Sequence, residues 1–75
     1  MENEKKTCDV SALKEGDLIH YYNYDNGKFL IDKGTVKEDN LHSDGVDVAG
    51  EGWKQYVGKW FICKVERDDE VLFEQ

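Results

Sequence analysis

Two apolar runs separated by a two-residue turn signal dominate the first half of the chain. Leu18-Ile19-His20-Tyr21-Tyr22-Asn23-Tyr24 and Lys28-Phe29-Leu30-Ile31-Asp32 are rich in β-branched and aromatic residues, and Asn26-Gly27 lies between them. Gly takes positive φ at no steric cost and Asn tolerates it, so the pair predicts a type I′ hairpin turn. A two-residue loop sets Asp25 opposite Lys28, Tyr24 opposite Phe29 and Tyr22 opposite Ile31. It gathers Leu18, Tyr22, Tyr24, Phe29 and Ile31 on one apolar face. Drawing Asp25 into the loop would slip the register by one and exchange the faces. The larger apolar set favours the two-residue loop. Gly34 in the continuing run predicts a bulge or bend, with Thr35-Val36 carried on into a second sheet.

The rest of the chain is shorter-ranged. Met1 to Asp9 is polar and expected to be a flexible lead into a single domain over residues 10–75. Val10 to Leu13 reads as a short helical turn or an extended lead-in, and Lys14-Glu15-Gly16-Asp17 as a turn before the first strand. Lys37 to Asp44 is a polar connection in which Leu41 is expected to tuck inward. Asp44-Gly45 opens Val46-Asp47-Val48, which alternates as a half-buried strand does, and Gly50-Glu51-Gly52 ends it. Trp53 to Val57 fits one helical turn or an irregular loop. Lys59 to Val65 predicts a fourth strand, Glu66 to Glu70 a turn, and Val71-Leu72-Phe73 a last short strand.

Five short strands with turn punctuation predict a mostly β domain: a small five-stranded antiparallel barrel or strongly bent sheet with at most one short helical turn. Leu13-Lys14-x-Gly16-Asp17-x-Ile19, then Gly34-x-Val36, then Asp44-Gly45-Val46-x-Val48 resembles the spacing in SH3-like small barrels of the Tudor and KOW kind. The resemblance spans most of the chain from Leu13 onward. It implies a barrel with a binding rather than a catalytic role and leaves the ligand open, because such barrels bind peptides, modified side chains, RNA and other proteins.

Charge narrows that choice. The formal net charge is −7, carried unevenly: residues 1–37 hold seven acids against six bases, and residues 38–75 ten acids against four. Glu38 to Trp53 contains Glu38, Asp39, Asp44, Asp47 and Glu51 with no Lys or Arg. Such a field repels nucleic acid and favours a basic protein partner. No apolar run is long enough to span a bilayer, and Met1 to Lys6 has no apolar core of a secretory leader. The expectation is therefore a cytoplasmic protein without membrane contact, whose Cys8 and Cys63 stay reduced.

Candidate chemistry is sparse. Cys8, His20, His42 and Cys63 have the count of a tetrahedral zinc site but none of its spacings, so four separate elements would have to converge; no metal or cofactor is expected. Cys63 stands among large apolar residues, which raise a thiol pKa rather than lower it. Phosphate-loop, nucleophile-elbow and zinc-protease motifs are missing, and so small a chain leaves little room for a pocket, so no enzyme is expected. The aromatics carry more. Trp53, Tyr56 and Trp60 follow directly on the acidic segment, and Trp and Tyr are enriched in interface hot spots. Aromatics beside carboxylates also cage cations, as the Tudor resemblance implies. The plainer account is that these rings pack core and rim.

The expected function is thus non-enzymatic binding of another protein, by occlusion or as an adaptor. The expected surface comprises Trp53, Tyr56, Trp60, Asp44, Asp47 and Glu51. One alternative is a phage-type, nucleic-acid-mimicking inhibitor, in which Asp44 and Asp47 with Glu38, Asp39 and Glu51 imitate a phosphate track. A second is a small-molecule or metal-binding domain. Pairing of the exposed face of the Trp60 strand, or of the C-terminal strand as an edge, with a second copy of the chain is a further option.

Overall fold

The computed structural model describes residues 7–38 and 42–75; Leu41 and Asp39, both given roles above, lie outside them. Six antiparallel strands form one open sheet: β1 (Leu18–Asp25), β2 (Lys28–Val36), β3 (Gly45–Gly50), β4 (Trp53–Gly58), β5 (Ile62–Arg67) and β6 (Glu70–Glu74), in the order β4-β3-β2-β1-β5-β6. Two 3-10 turns accompany them, Val10–Ala12 before β1 and Lys59–Phe61 between β4 and β5. The sheet curls, since Gln55 of β4 donates to Asn23 of β1 at 3.4 Å across two intervening strands, but it stays open rather than closing into a barrel.

The hairpin register is the one predicted. Asn26 (φ 51°) and Gly27 (φ 79°) both take positive φ, as a type I′ turn requires, and Asp25, Tyr24 and Tyr22 stand opposite Lys28, Phe29 and Ile31. The buried face is the other one. Ile19 and Tyr21 are fully buried, whereas Tyr22, Tyr24, Phe29 and Ile31 are exposed. The reason lies in the neighbours: β5 reaches β1 only from Leu18 to Tyr21, and β3 reaches β2 only at Thr35 and Val36. Beyond those contacts the hairpin is a projecting two-stranded arm.

Further departures concern β2 and the second half. Gly34 makes no bulge against β1; the pairing runs on unbroken from Asp25 to Leu18. Its missing side chain instead admits Trp53, whose ring would stand 2.9 Å from a Cβ placed there. Trp53 to Val57 is strand, not helix or loop, and the expected fourth strand is divided into a 3-10 turn and β5. β6 returns from β5 through Asp68 (φ 51°) and Asp69 (φ 67°), a second two-residue turn with both residues at positive φ.

The core combines Ile19, Tyr21, Val36, Val46, Val48, Val57, Ile62 and Val65 with Cys8, Val10 and Leu13 from the N-terminal segment. Cys8, in the lead expected to be flexible, is only 3% exposed. The turn ahead of β1 is pinned by Asp17, 1% exposed. Its carboxylate accepts from Arg67 Nε at 2.7 Å, from Arg67 Nη2 at 2.8 Å and from the Lys14 N–H at 2.8 Å. Arg67 also donates to the Ala12 carbonyl at 3.2 Å, and the Asp17 carbonyl accepts from the Val36 N–H at 2.9 Å. The fork of the guanidinium matches the carboxylate, so a buried charge is both paired and fully hydrogen-bonded. The hydrogen bond from Arg67 holds the Asp17 carboxyl below the usual carboxylate range against the opposing effect of burial, with the Lys14 N–H adding to it.

Candidate functional site

The curl of the sheet opens a groove of about 500 Å³ beside the outer half of β1. Tyr22, Asn23 and Tyr24 form one wall, with Phe29 behind them; Gln55, Tyr56 and Val57 of β4 form the other, and Trp60 and Phe61 of the 3-10 turn close the end. The sequence accounts for this arrangement. β5 begins only at Ile62, so the 3-10 turn carries Trp60 and Phe61 off the sheet instead of continuing it along β1. Trp60 is 60% exposed and Phe29 likewise, Tyr24 is 63% exposed, and Tyr22, Tyr56 and Phe61 are also exposed. Tyr24 and Phe29 meet edge to face at 5.0 Å, and the Lys59 ammonium stands 5.4 Å from the Trp60 ring centre.

All six of these rings keep a substantial share of their surface in water, so exposed apolar area gathers around the groove. The buried Tyr21 belongs to the same lining, and its hydroxyl has no hydrogen-bond partner among the described residues. Burial, and Asp32 opposite it on β2, push that hydroxyl's pKa up.

The six residues predicted as one surface divide. Tyr56 and Trp60 share the groove. Trp53 does not: its ring lies against Gly50 and Gly34, covering backbone where no side chain stands. Tyr56 does some of the same at Gly45, where a Cβ would stand 2.6 Å from its hydroxyl. Asp44 and Glu51 are exposed at opposite ends of β3, before its start and in the turn after it. Asp47 stands opposite Tyr56 and lies 3.0 Å from His42, whose ring meets Tyr56 edge to face. Among the described residues no Asp or Glu lines the aromatic groove, and the segment without Lys or Arg along the chain has both Lys37 and Lys54 beside Asp47 in space. Tyr22, Tyr24, Phe29 and Phe61 also line the groove; the sequence pattern places the first three on the apolar face of the hairpin and counts Tyr22 and Tyr24 among aromatics in excess of what a small core needs. The clue to their exposure was the length of that hairpin against the short strands available to cover it.

The thiols and imidazoles are committed elsewhere. Burial, reinforced by Asp9, pushes the Cys8 thiol up to about 11, and burial raises Cys63, whose Sγ stands 3.4 Å from the His20 carbonyl. Neither is a ready thiolate nucleophile. His20 pairs with Glu66 at 3.1 Å, and no group of three or more His, Cys, Asp or Glu able to hold a metal occurs among the described residues. Comparison of the chain with protein-family models, with curated proteins and with solved structures finds no match in any of the three.

Proposed function

We propose that this chain is a non-catalytic domain that binds another protein through the groove walled by Tyr22, Tyr24, Tyr56, Trp60 and Phe61. The observation that carries the reading is the uncovered aromatic surface: a small sheet has left Tyr22, Tyr24, Tyr56, Trp60 and Phe61 in water around one concave site. Trp and Tyr give large rigid contact areas at low entropic cost, and they dominate the anchors of known interfaces. The curl of the sheet supports the likeness to SH3-like small barrels in its open form. The acidic field of a chain at net −7 supports a basic partner, with charge steering the encounter and aromatic contact holding it.

The nucleic-acid-mimic alternative draws less support, because Lys37 and Lys54 interrupt the acids around Asp47. The test is retention of partner proteins by immobilised wild type, Trp60→Ala and Trp53→Ala at low and high salt. The expected result is a protein retained by wild type and Trp53→Ala at both salts and lost with Trp60→Ala. A protein retained equally by all three at low salt and released from all at high salt would instead favour the mimic.

A further inference from the structure

The arm also leaves the far edge of β2 unpaired. Among the described residues, β3 meets that edge only at Thr35 and Val36, so Lys28 to Gly34 has a strand on one side alone. An unpaired edge is a template for another strand, and the charges at Lys28, Asp32 and Lys33 decide which strand this one accepts. Which main-chain groups it offers follows from the turn. A two-residue type I′ turn makes its flanking pair, Asp25 and Lys28, the one that exchanges both hydrogen bonds, and the alternation of antiparallel pairing then repeats along the ladder. Lys28, Leu30 and Asp32 therefore spend their N–H and C=O on β1, and Phe29 and Ile31 point theirs outward, as does Lys33, whose N–H donates to the Asp32 carboxylate at 3.0 Å.

We propose that this edge pairs with the same edge of a second copy, antiparallel and centred on Leu30, to form a two-fold dimer. In that register Leu30 faces Leu30, Phe29 of each copy faces Ile31 of the other, and Lys28 of each faces Asp32 of the other. Both members of each Phe29–Ile31 pair have outward-pointing groups, so the two copies exchange four main-chain hydrogen bonds there. Leu30, Lys28 and Asp32 fall at the intervening close pairs, where cross-strand side chains interact most strongly. The sequence Lys28-Phe29-Leu30-Ile31-Asp32 is thus complementary to itself in charge and in apolar character. Centring on Ile31 keeps the hydrogen-bond phase but sets Phe29 against Lys33 and Leu30 against Asp32. Centring on Leu30 also places the tip residues Asn26 and Gly27 opposite Gly34 and Lys33, just short of Thr35, where β3 occupies the edge. Phe29 belongs both to this edge and to the aromatic groove, whose other lining residues stand on β1, on β4 and in the second 3-10 turn.

The test is sedimentation equilibrium of the full chain from about 1 μM to 1 mM, a span that covers weak to moderate self-association. Wild type, Lys28→Asp and Asp32→Lys are run separately, and then the two variants are mixed in equal amounts. The expected result is a wild-type dimer weakened at least tenfold by either charge reversal. The mixture should form a heterodimer, because both cross-strand pairs are then of opposite sign. Should either reversal fail to fold, Ile31→Pro, which removes one outward N–H at an edge position, must give a monomer. A wild type monomeric throughout the range overturns the proposal, as does a dimer indifferent to both reversals or a mixture of folded variants that stays monomeric.

Discussion

The two halves of β1 make a controlled comparison within one strand. Leu18 to Tyr21 has a strand on each side and includes two fully buried residues, Ile19 and Tyr21; Tyr22 to Tyr24 has β2 alone and leaves its tyrosines in water. Composition does not separate them, for the outer half is the more aromatic. What separates them is the reach of β5 and β3, together with the clamp at Asp17 that fixes where β1 starts. Apolar character makes a residue available for burial; neighbouring elements decide whether burial happens. Where they stop short, the same residues become a contact surface.

The sharpest way to break this contrast is at the clamped end. Asp17→Ala removes a buried carboxylate with three hydrogen bonds, and should cost about 2–4 kcal/mol in urea unfolding. Arg67 and the Lys14 N–H are left without their acceptor. The same group predicts an acid dependence. Its folded pKa lies below the unfolded value, so its contribution is complete above about pH 5 and is lost as pH falls through the unfolded value toward the folded one. The fall in stability between about pH 5 and 3 should therefore be shallower in Asp17→Asn than in wild type.

Next in size is Gly45→Ala. A Cβ there would meet the Val57 carbonyl oxygen at 2.5 Å and the Tyr56 ring, so a loss of about 1–3 kcal/mol is expected. Trp53→Ala should cost about 1–2 kcal/mol in thermal unfolding, because the ring is only partly buried over Gly34 and Gly50. At the projecting end, Tyr24→Ser and Phe29→Ser should shift stability by only about 0.5 kcal/mol or less while abolishing partner retention. A loss of several kcal/mol from either would mean that the arm is part of the core and would remove the contrast. The smallest effect runs the other way: replacing Asp68-Asp69 by Asn-Gly suits their positive φ and should stabilise by a few tenths of a kcal/mol.

The hairpin was legible because its determinant is local: Asn26-Gly27 fixes the turn, and the turn fixes the register. Its buried face was not, because that depends on where β5 begins, a matter some forty residues away. β4 escaped reading because Trp53-Lys54-Gln55-Tyr56-Val57 lacks apolar alternation; its strand state is enforced by pairing with β3. The Asp17–Arg67 pair was invisible for the same reason of distance, since a Gly-Asp turn and a lone Arg in an acidic tail give no sign of each other. Of the six residues expected to share one surface, Tyr56 and Trp60 line the groove, whereas Trp53 lies over Gly34 and Gly50, a placement set by glycines distant in sequence.

The type I′ turn also has a consequence for solvent exchange. Because it fixes which main-chain groups face inward, amide protons along the arm of an isolated chain should exchange in alternation: slowly at Asn23, Leu30 and Asp32, and quickly at Tyr24, Phe29 and Ile31. The turn at one end thereby sets a two-residue rhythm of protection that fades only where β5 and β3 take over, and the step in that rhythm marks the boundary between scaffold and arm.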